Sequence, residues 1–198
     1  MKSGVILISG RGSNMRSIVE ARTGLDVKAV ISNRPDAKGL EWARAQGIPA
    51  IALDHKAHAS REAFDERLAV EIDRLQPDLV LLAGFMRILT PAFIGRFTRR
   101  ILNIHPSLLP SFPGLHTHRR ALEAGVKLHG CTVHVVTPEL DSGPIVAQAA
   151  VPVMAGDTEE ALAERVLAAE HRIYPQAVRG FLEGRIRLAA DGTVTVER

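Results

Sequence analysis

Eight consecutive residues, Leu79 to Met86, carry no polar side chain. The run is far short of the ~20 residues a membrane-spanning helix needs. Its Leu and Val content suits a β-strand, Leu79 to Ala83, buried on both faces. Such a strand belongs to a parallel sheet covered by helices, so the rest of the chain must supply neighbouring strands and two helical layers.

The remaining sequence alternates in that way. Strands are predicted over Gly4–Ser9, Val27–Ser32, Pro49–Leu53 and Ile101–Ile104. Between them lie helical patterns near Met15–Ala21, Gly39–Gln46, Arg61–Leu75 and Pro91–Phe97. The third helix is the best defined. Phe64, Leu68, Ile72 and Leu75 recur on one face at a 3.6 period, Ser60 is placed as N-cap, and Pro77 ends it. Pro106 to Gly114 is too rich in Pro, Ser and Gly for a regular element.

After a helix near Arg119–Ala124, strands over Gly130–Val136 and Ile145–Val153 are joined by Thr137 to Pro144. A long helix starts at Asp157, where Asp157 and Glu160 have capping-box spacing, and buries Leu162, Val166, Ala169 and Ile173. A hairpin closes the chain, with Asp191-Gly192 as a type I′ turn between Ile186/Leu188 and Val194/Val196. The expectation is one α/β domain over residues 1–198. It has a mostly parallel twisted sheet, helices on both faces and a C-terminal antiparallel addition.

Composition narrows the function classes. Twenty-five basic residues against 22 acidic give +3, without a block of like charges, and aromatics are only 4%. That pattern argues against a nucleic-acid partner and for anionic small molecules. One cysteine, Cys131, excludes an internal disulfide and a multi-cysteine zinc site. It points to a reducing, cytoplasmic setting, and the shortness of the apolar runs to no membrane partner. Five of eight histidines fall within 30 residues (His105, His116, His118, His129, His134). They lack the spacing of a metal motif, so no metal is expected.

Four segments carry candidate chemistry, each at the C-terminal end of a strand or facing one. Gly10-Arg11-Gly12-Ser13-Asn14 joins a strand to a helix and suits a phosphate at the helix N-terminus. It is neither a dinucleotide fingerprint nor a Walker loop. Asn103 and His105 stand two apart at a strand end, hence on one face. They could stabilise an oxyanion and move a proton, or form a satisfied polar pair. Asp141 lies in a tight loop; beside His105 it would favour the imidazolium, or it could be a plain Asx-turn residue. Glu170 projects toward the apolar side of its helix and needs an amine, a hydroxyl or an arginine as partner.

The combination is more specific than its parts. Ser9-Gly10-Arg11-Gly12-Ser13-Asn14, Leu82 to Leu89, Leu102-Asn103-Ile104-His105-Pro106-Ser107-Leu108-Leu109-Pro110, Pro113 to His118 and Leu140-Asp141-Ser142-Gly143-Pro144 occur in that order. Over nearly its whole length the chain closely resembles the folate-dependent phosphoribosylglycinamide formyltransferase family. The resemblance implies a Rossmann-like formyltransferase fold and formyl transfer from 10-formyltetrahydrofolate, as co-substrate, to phosphoribosylglycinamide. Asn103, His105 and Asp141 match the catalytic trio. Gly12, Ser13, Asn14 and Glu170 match the acceptor site. Arg61, Met86, Arg87, Ile88, Leu89, Asn103, Thr137, Pro138, Glu139, Leu140 and Asp141 match the folate site. The implied mechanism is direct attack by the amine, without an acyl-enzyme.

The competing readings are a formyltetrahydrofolate hydrolase, which would use the same trio on water, and a non-catalytic folate- or phosphate-binding protein. At 198 residues the chain is expected to lack the extra domains of the hydrolase and transfer-RNA relatives. It is expected to act as a monomer or homodimer.

Overall fold

In the computed structural model, residues 1–189 and 193–197 are described. The elements run β1 (Ser3–Ile8), α1 (Ser13–Glu20), β2 (Asp26–Ser32), α2 (Lys38–Ala45) and β3 (Ala50–Ala52), then a 3₁₀ turn at His55–Ala57. They continue with α3 (Arg61–Leu75), β4 (Leu79–Leu82), α4 (Pro91–Arg96), β5 (Ile101–His105) and α5 (Thr117–Glu123). Then come β6 (Leu128–Val135), β7 (Ile145–Pro152), α6 (Glu159–Leu182), β8 (Ile186–Leu188) and β9 (Val194–Val196).

Seven strands form one sheet in the order β3-β2-β1-β4-β5-β6-β7. The first five are parallel, while β6 adds antiparallel to β5 and β7 antiparallel to β6. The apolar run that begins at Leu79 is central, paired on both sides by β1 and β5.

Period-two alternation divides the strand side chains between two cores. Ile6, Ile8, Val30, Leu79, Leu81, Leu102 and Ile104 pack on the side of α1, α2 and α6. Val5, Leu7, Ala29, Ile31, Val80, Leu82 and Ile101 pack on the side of α3 and α4. Asn103 and His105 are in step with Ile101, so they continue the α3/α4 side beyond its apolar part.

The helices form where their caps allow. The Ser60 hydroxyl accepts from the Ala63 amide at 3.1 Å and starts α3 as expected. Asp157 does not start α6. Thr158 is the N-cap, its hydroxyl accepting from the Ala161 amide at 3.2 Å. The Asp157 carboxylate instead holds Arg165 and the Met154 amide, which leaves the capping position one residue later. The predicted inner face of α6 (Leu162, Val166, Ala169, Ile173) is buried. On the same helix the buried Tyr174 hydroxyl is satisfied by the Leu82 and Leu102 carbonyls, at 3.1 and 3.0 Å.

The terminal hairpin pairs Ile186 with Val196 and Leu188 with Val194, as the alternation predicts. The Asp191-Gly192 turn expected between them lies outside the described residues. No helix among the described residues is long and apolar enough to cross a membrane.

Candidate active site

The end of β1 enters α1 through Gly12, whose φ of 72° makes it the N-cap. The left-handed backbone is what calls for glycine; a Cβ there would also crowd Met15 Cε at 2.9 Å and Gly39 Cα at 3.3 Å. Because Gly12 caps the helix, α1 begins at Ser13, two residues before the predicted start at Met15. Ser13 and Asn14 are therefore first-turn residues. No side chain caps this end and no acidic residue lies in its first turn, which leaves its amides and dipole suited to an anion.

Asn14 turns inward. Its Nδ2 donates to Glu170 Oε2 at 2.7 Å, joining α1 to α6 across 156 residues of sequence. The partner of Glu170 is thus an amide and not one of the arginines. Burial pushes the Glu170 carboxyl up to about 7, and the Asn14 hydrogen bond only partly offsets it. Asn14 Oδ1 is itself buried without a partner. Two acceptors are held together where hydroxyl or amine donors could complete them.

The second group forms where β5, β6 and the loop after β6 meet. His105 Nε2 lies 3.1 Å from the Phe112 carbonyl, which can only accept. His105 Nδ1 faces Asp141 Oδ2 at 3.5 Å, an ion-pair distance. Each ring nitrogen thus faces an acceptor, the carbonyl at hydrogen-bond distance and the carboxylate at ion-pair distance. Asp141 has a φ of 51°, a left-handed conformation that Asp tolerates better than most residues. Its Oδ2 accepts from the Gly114 amide at 2.8 Å. Asn103, opposite His134 in the β5/β6 register, places Nδ2 3.1 Å from His134 Nε2. His134 Nε2 is also 3.8 Å from Asp141 Oδ1. The three residues singled out from sequence are brought into one cluster.

The loop bearing Asp141 is tightly built. Thr137 Oγ1 donates to the Glu139 carbonyl, and Ser142 Oγ donates to the Leu140 carbonyl. Pro138 follows Thr137 in the same turn, and Leu140 is exposed. After β4, the Met86 amide donates to Ser9 Oγ at 2.8 Å, and Ser9 Oγ donates to Asn33 Oδ1 at 2.5 Å. This fixes the backbone at Met86, the start of the Met86 to Leu89 stretch, in which Leu89 is buried and the Met86 and Ile88 side chains are exposed. Arg87 folds over the Phe64 ring, 4.9 Å from its centroid, and its Nε is buried without a partner.

Arg61 stands apart from the trio. It is the exposed first residue of α3, and its Nε is 3.6 Å from Glu62 Oε1. It lines a cleft of about 460 Å³ with Asp65, Thr90 and Arg96. Thr90 directly follows Leu89 in sequence, but Met86 to Leu89 do not line this cleft.

A Formyl transferase family model matches residues 2–178. The phosphoribosylglycinamide formyltransferase of Escherichia coli is 53% identical over 188 residues, covering 93% of this chain and 89% of that protein. The chain belongs to the phosphoribosylglycinamide formyltransferase family. A glycinamide ribonucleotide transformylase structure from Symbiobacterium toebii superposes with a TM-score of 0.95 at 50% identity, over 100% of this chain and 95% of that one. The trifunctional purine biosynthetic protein adenosine-3 of Bos taurus is 44% identical over 193 residues, 96% of this chain. The match spans 19% of that longer protein.

Three contacts of this formyltransferase site escaped sequence reasoning: His134, the Gly114 amide and the Phe112 carbonyl. His134 had a signal, since Thr132 and His134 alternate with buried Cys131 and Val133 along one strand. The other two are backbone groups and carry none. The remaining clustered histidines go elsewhere. His129 Nε2 and His118 Nδ1 are 3.2 Å apart, and His116 is the N-cap of α5. Among the described residues, no three His, Cys, Asp or Glu side chains gather as a metal ion would need.

Proposed function

We propose that this chain transfers the formyl group of 10-formyltetrahydrofolate to the amine of 5′-phosphoribosylglycinamide, a step of purine biosynthesis, with residues 1–198 acting as one cytoplasmic formyltransferase domain. The observation that carries the reading is the convergence of Asn103, His105 and Asp141 at the strand ends of a chain 53% identical to the Escherichia coli enzyme.

Gly12, Ser13 and Asn14 hold the acceptor's phosphate through the first-turn amides of α1. Asn14 Oδ1 and Glu170 accept from its hydroxyl or amine donors. The backbone of Met86 to Leu89, pinned at Met86 through Ser9, holds the pterin, while Thr137 to Asp141 closes over it and Arg61 reaches the carboxylate tail. The folate supplies the activated formyl carbon. Asn103 donates an N–H to the oxygen on which charge develops, and His105 Nδ1 donates to the same oxygen. The 3.5 Å gap between that nitrogen and Asp141 leaves the proton free to be shared. Asp141 keeps His105 charged and orders a water that carries the proton from the attacking amine to the leaving nitrogen. Much of the rate gain is proximity, since both substrates are held at once.

The test has two parts. Purified protein is incubated with 10-formyltetrahydrofolate, with and without the ribonucleotide, and deformylated folate is followed. Turnover only with the acceptor is expected. Turnover on water alone would favour a hydrolase, and none in either case a binding protein. Asp141→Asn and His105→Ala should each lower kcat by about 10²–10⁴ with the fold intact. Either variant keeping most of its kcat would refute the assigned roles.

A further inference from the structure

We propose that His134 is a positioning residue for the reaction: it selects which edge of the Asn103 amide faces the reacting oxygen. The proposal rests on the reading of Asn103 as an oxyanion donor and extends it to a residue that touches no substrate.

A carboxamide is ambiguous. One edge donates and would stabilise developing negative charge, while the other accepts and would repel it. Flipping Asn103 by half a turn exchanges the two with little change in shape, so something must choose. The choice is made across the sheet. Asn103 and His134 are directly opposed in the antiparallel β5/β6 register, where side chains on one face come close enough to bond.

His134 Nδ1 lies 3.2 Å from the Val135 carbonyl, an acceptor only, so Nδ1 carries a proton. In the neutral ring Nε2 is then a lone pair. Asn103 Nδ2 sits 3.1 Å from it and must donate. One Asn103 N–H is used in this way, and the second N–H of the same nitrogen is left for the reacting oxygen. Asp141 Oδ1, at 3.8 Å, is beyond hydrogen-bond reach of Nε2 and does not compete for it. Burial independently disfavours a charged His134. The Val135 carbonyl and Asp141 pull the other way, and His105 adds to the burial effect. Were His134 to donate from Nε2, the amide would have to present its oxygen to the ring, and the geometry for catalysis would invert.

A satisfied core histidine would show the same contacts, so the test must separate the two. His134→Leu keeps apolar bulk but cannot accept, and His134→Gln restores an acceptor. Each is made in the wild-type and Asn103→Ala backgrounds, with kcat and both KM values measured. The leucine variant should lose about tenfold or more in kcat with KM values within about twofold. The glutamine variant should recover most of that loss. In the Asn103→Ala background His134→Leu should change kcat by less than about twofold, because its effect passes through the amide.

Equal losses in both backgrounds, or an unchanged kcat for His134→Leu alone, would overturn the proposal. An unchanged kcat for Asn103→Ala would overturn the underlying functional reading and this proposal with it. A measurement on the intact wild-type protein stands even if the leucine variant fails to fold. ¹⁵N-resolved histidine spectra at pH 7.5 should show His134 as the neutral Nδ1–H tautomer; an Nε2–H tautomer or an imidazolium there would refute the assignment.

Discussion

Gly143→Ala adds one methyl group and removes no functional one, yet it is expected to damage the active site. Gly143 lies two residues after Asp141, where the loop returns to the sheet. A Cβ at this position would stand 1.7 Å from the Val135 carbonyl oxygen and 2.9 Å from its carbon. Real Cβ contacts essentially never fall below 3.0 Å, so about 1.3 Å must be found by moving backbone. Neither side yields easily. The Val135 amide donates to the Pro144 carbonyl at 2.9 Å, the next amide, Val136, donates to Ile101 on β5, and Val135 is held in register opposite Leu102. The displacement therefore falls on the 137–144 loop and carries the Asp141 carboxylate with it.

Misplacing a catalytic group by ~1 Å can cost about 10²-fold in rate. We expect kcat to fall by about that factor while KM for the ribonucleotide, whose proposed site is at α1, changes little. Steady-state kinetics with varied ribonucleotide at saturating folate is the assay, with circular dichroism and a denaturant melt to verify the fold. Gly95→Ala is the matched control. Nothing lies within 4 Å of its added methyl, and in α4 alanine should stabilise by up to ~1 kcal/mol with kcat unchanged. A Gly143→Ala enzyme with wild-type kcat would show that the loop absorbs the shift without moving Asp141, and the positional argument would fail.

Glu170→Gln should stabilise the protein at pH 8 and weaken acceptor binding. A carboxyl raised from 4.5 to about 7 by burial binds its proton more tightly folded than unfolded, so it opposes folding increasingly as pH rises through that window. Removing the charge should gain up to ~3 kcal/mol above pH 7 in a denaturant melt. The ribonucleotide KM should rise about 10–100-fold through loss of a charged acceptor. His129 works with the opposite sign. Burial, followed by its neighbour His118, depresses its pKa to about 4, so stability present above pH 6.5 is lost as pH falls toward 4. The drop in thermal midpoint between pH 7.5 and 4.5 should shrink in His129→Gln, and an unchanged drop would assign the acid sensitivity to other groups.

What could be read from one sequence followed from locality. Strands announced themselves because parallel strands are apolar throughout, and α3 because its apolar residues repeat at the helical period. Asn103 and His105 stood out because polar side chains at the end of a buried strand need a reason to be there. Glu170 stood out likewise on the inner side of α6. Boundaries were less readable, since a cap can pass to the next residue. Thr158 displaced Asp157 once Arg165, eight residues on, had taken the carboxylate. Gly12 in the left-handed region moved the start of α1 forward, which no periodicity encodes.

The parts that stayed hidden share one cause: they depend on register between distant segments. His134 was visible as a histidine in a strand, but its pairing with Asn103 exists only because β6 runs antiparallel to β5 and aligns Ile104 with Val133. A slip of one residue would turn His134 to the other face and leave the Asn103 amide free to rotate. The Gly114 amide and the Phe112 carbonyl contribute through main-chain atoms that every residue possesses, so residue type says nothing about them. Composition and spacing can therefore nominate the groups that do chemistry. The groups that aim them are decided by the sheet, and substitution at those positions should change kcat while leaving the binding constants largely intact.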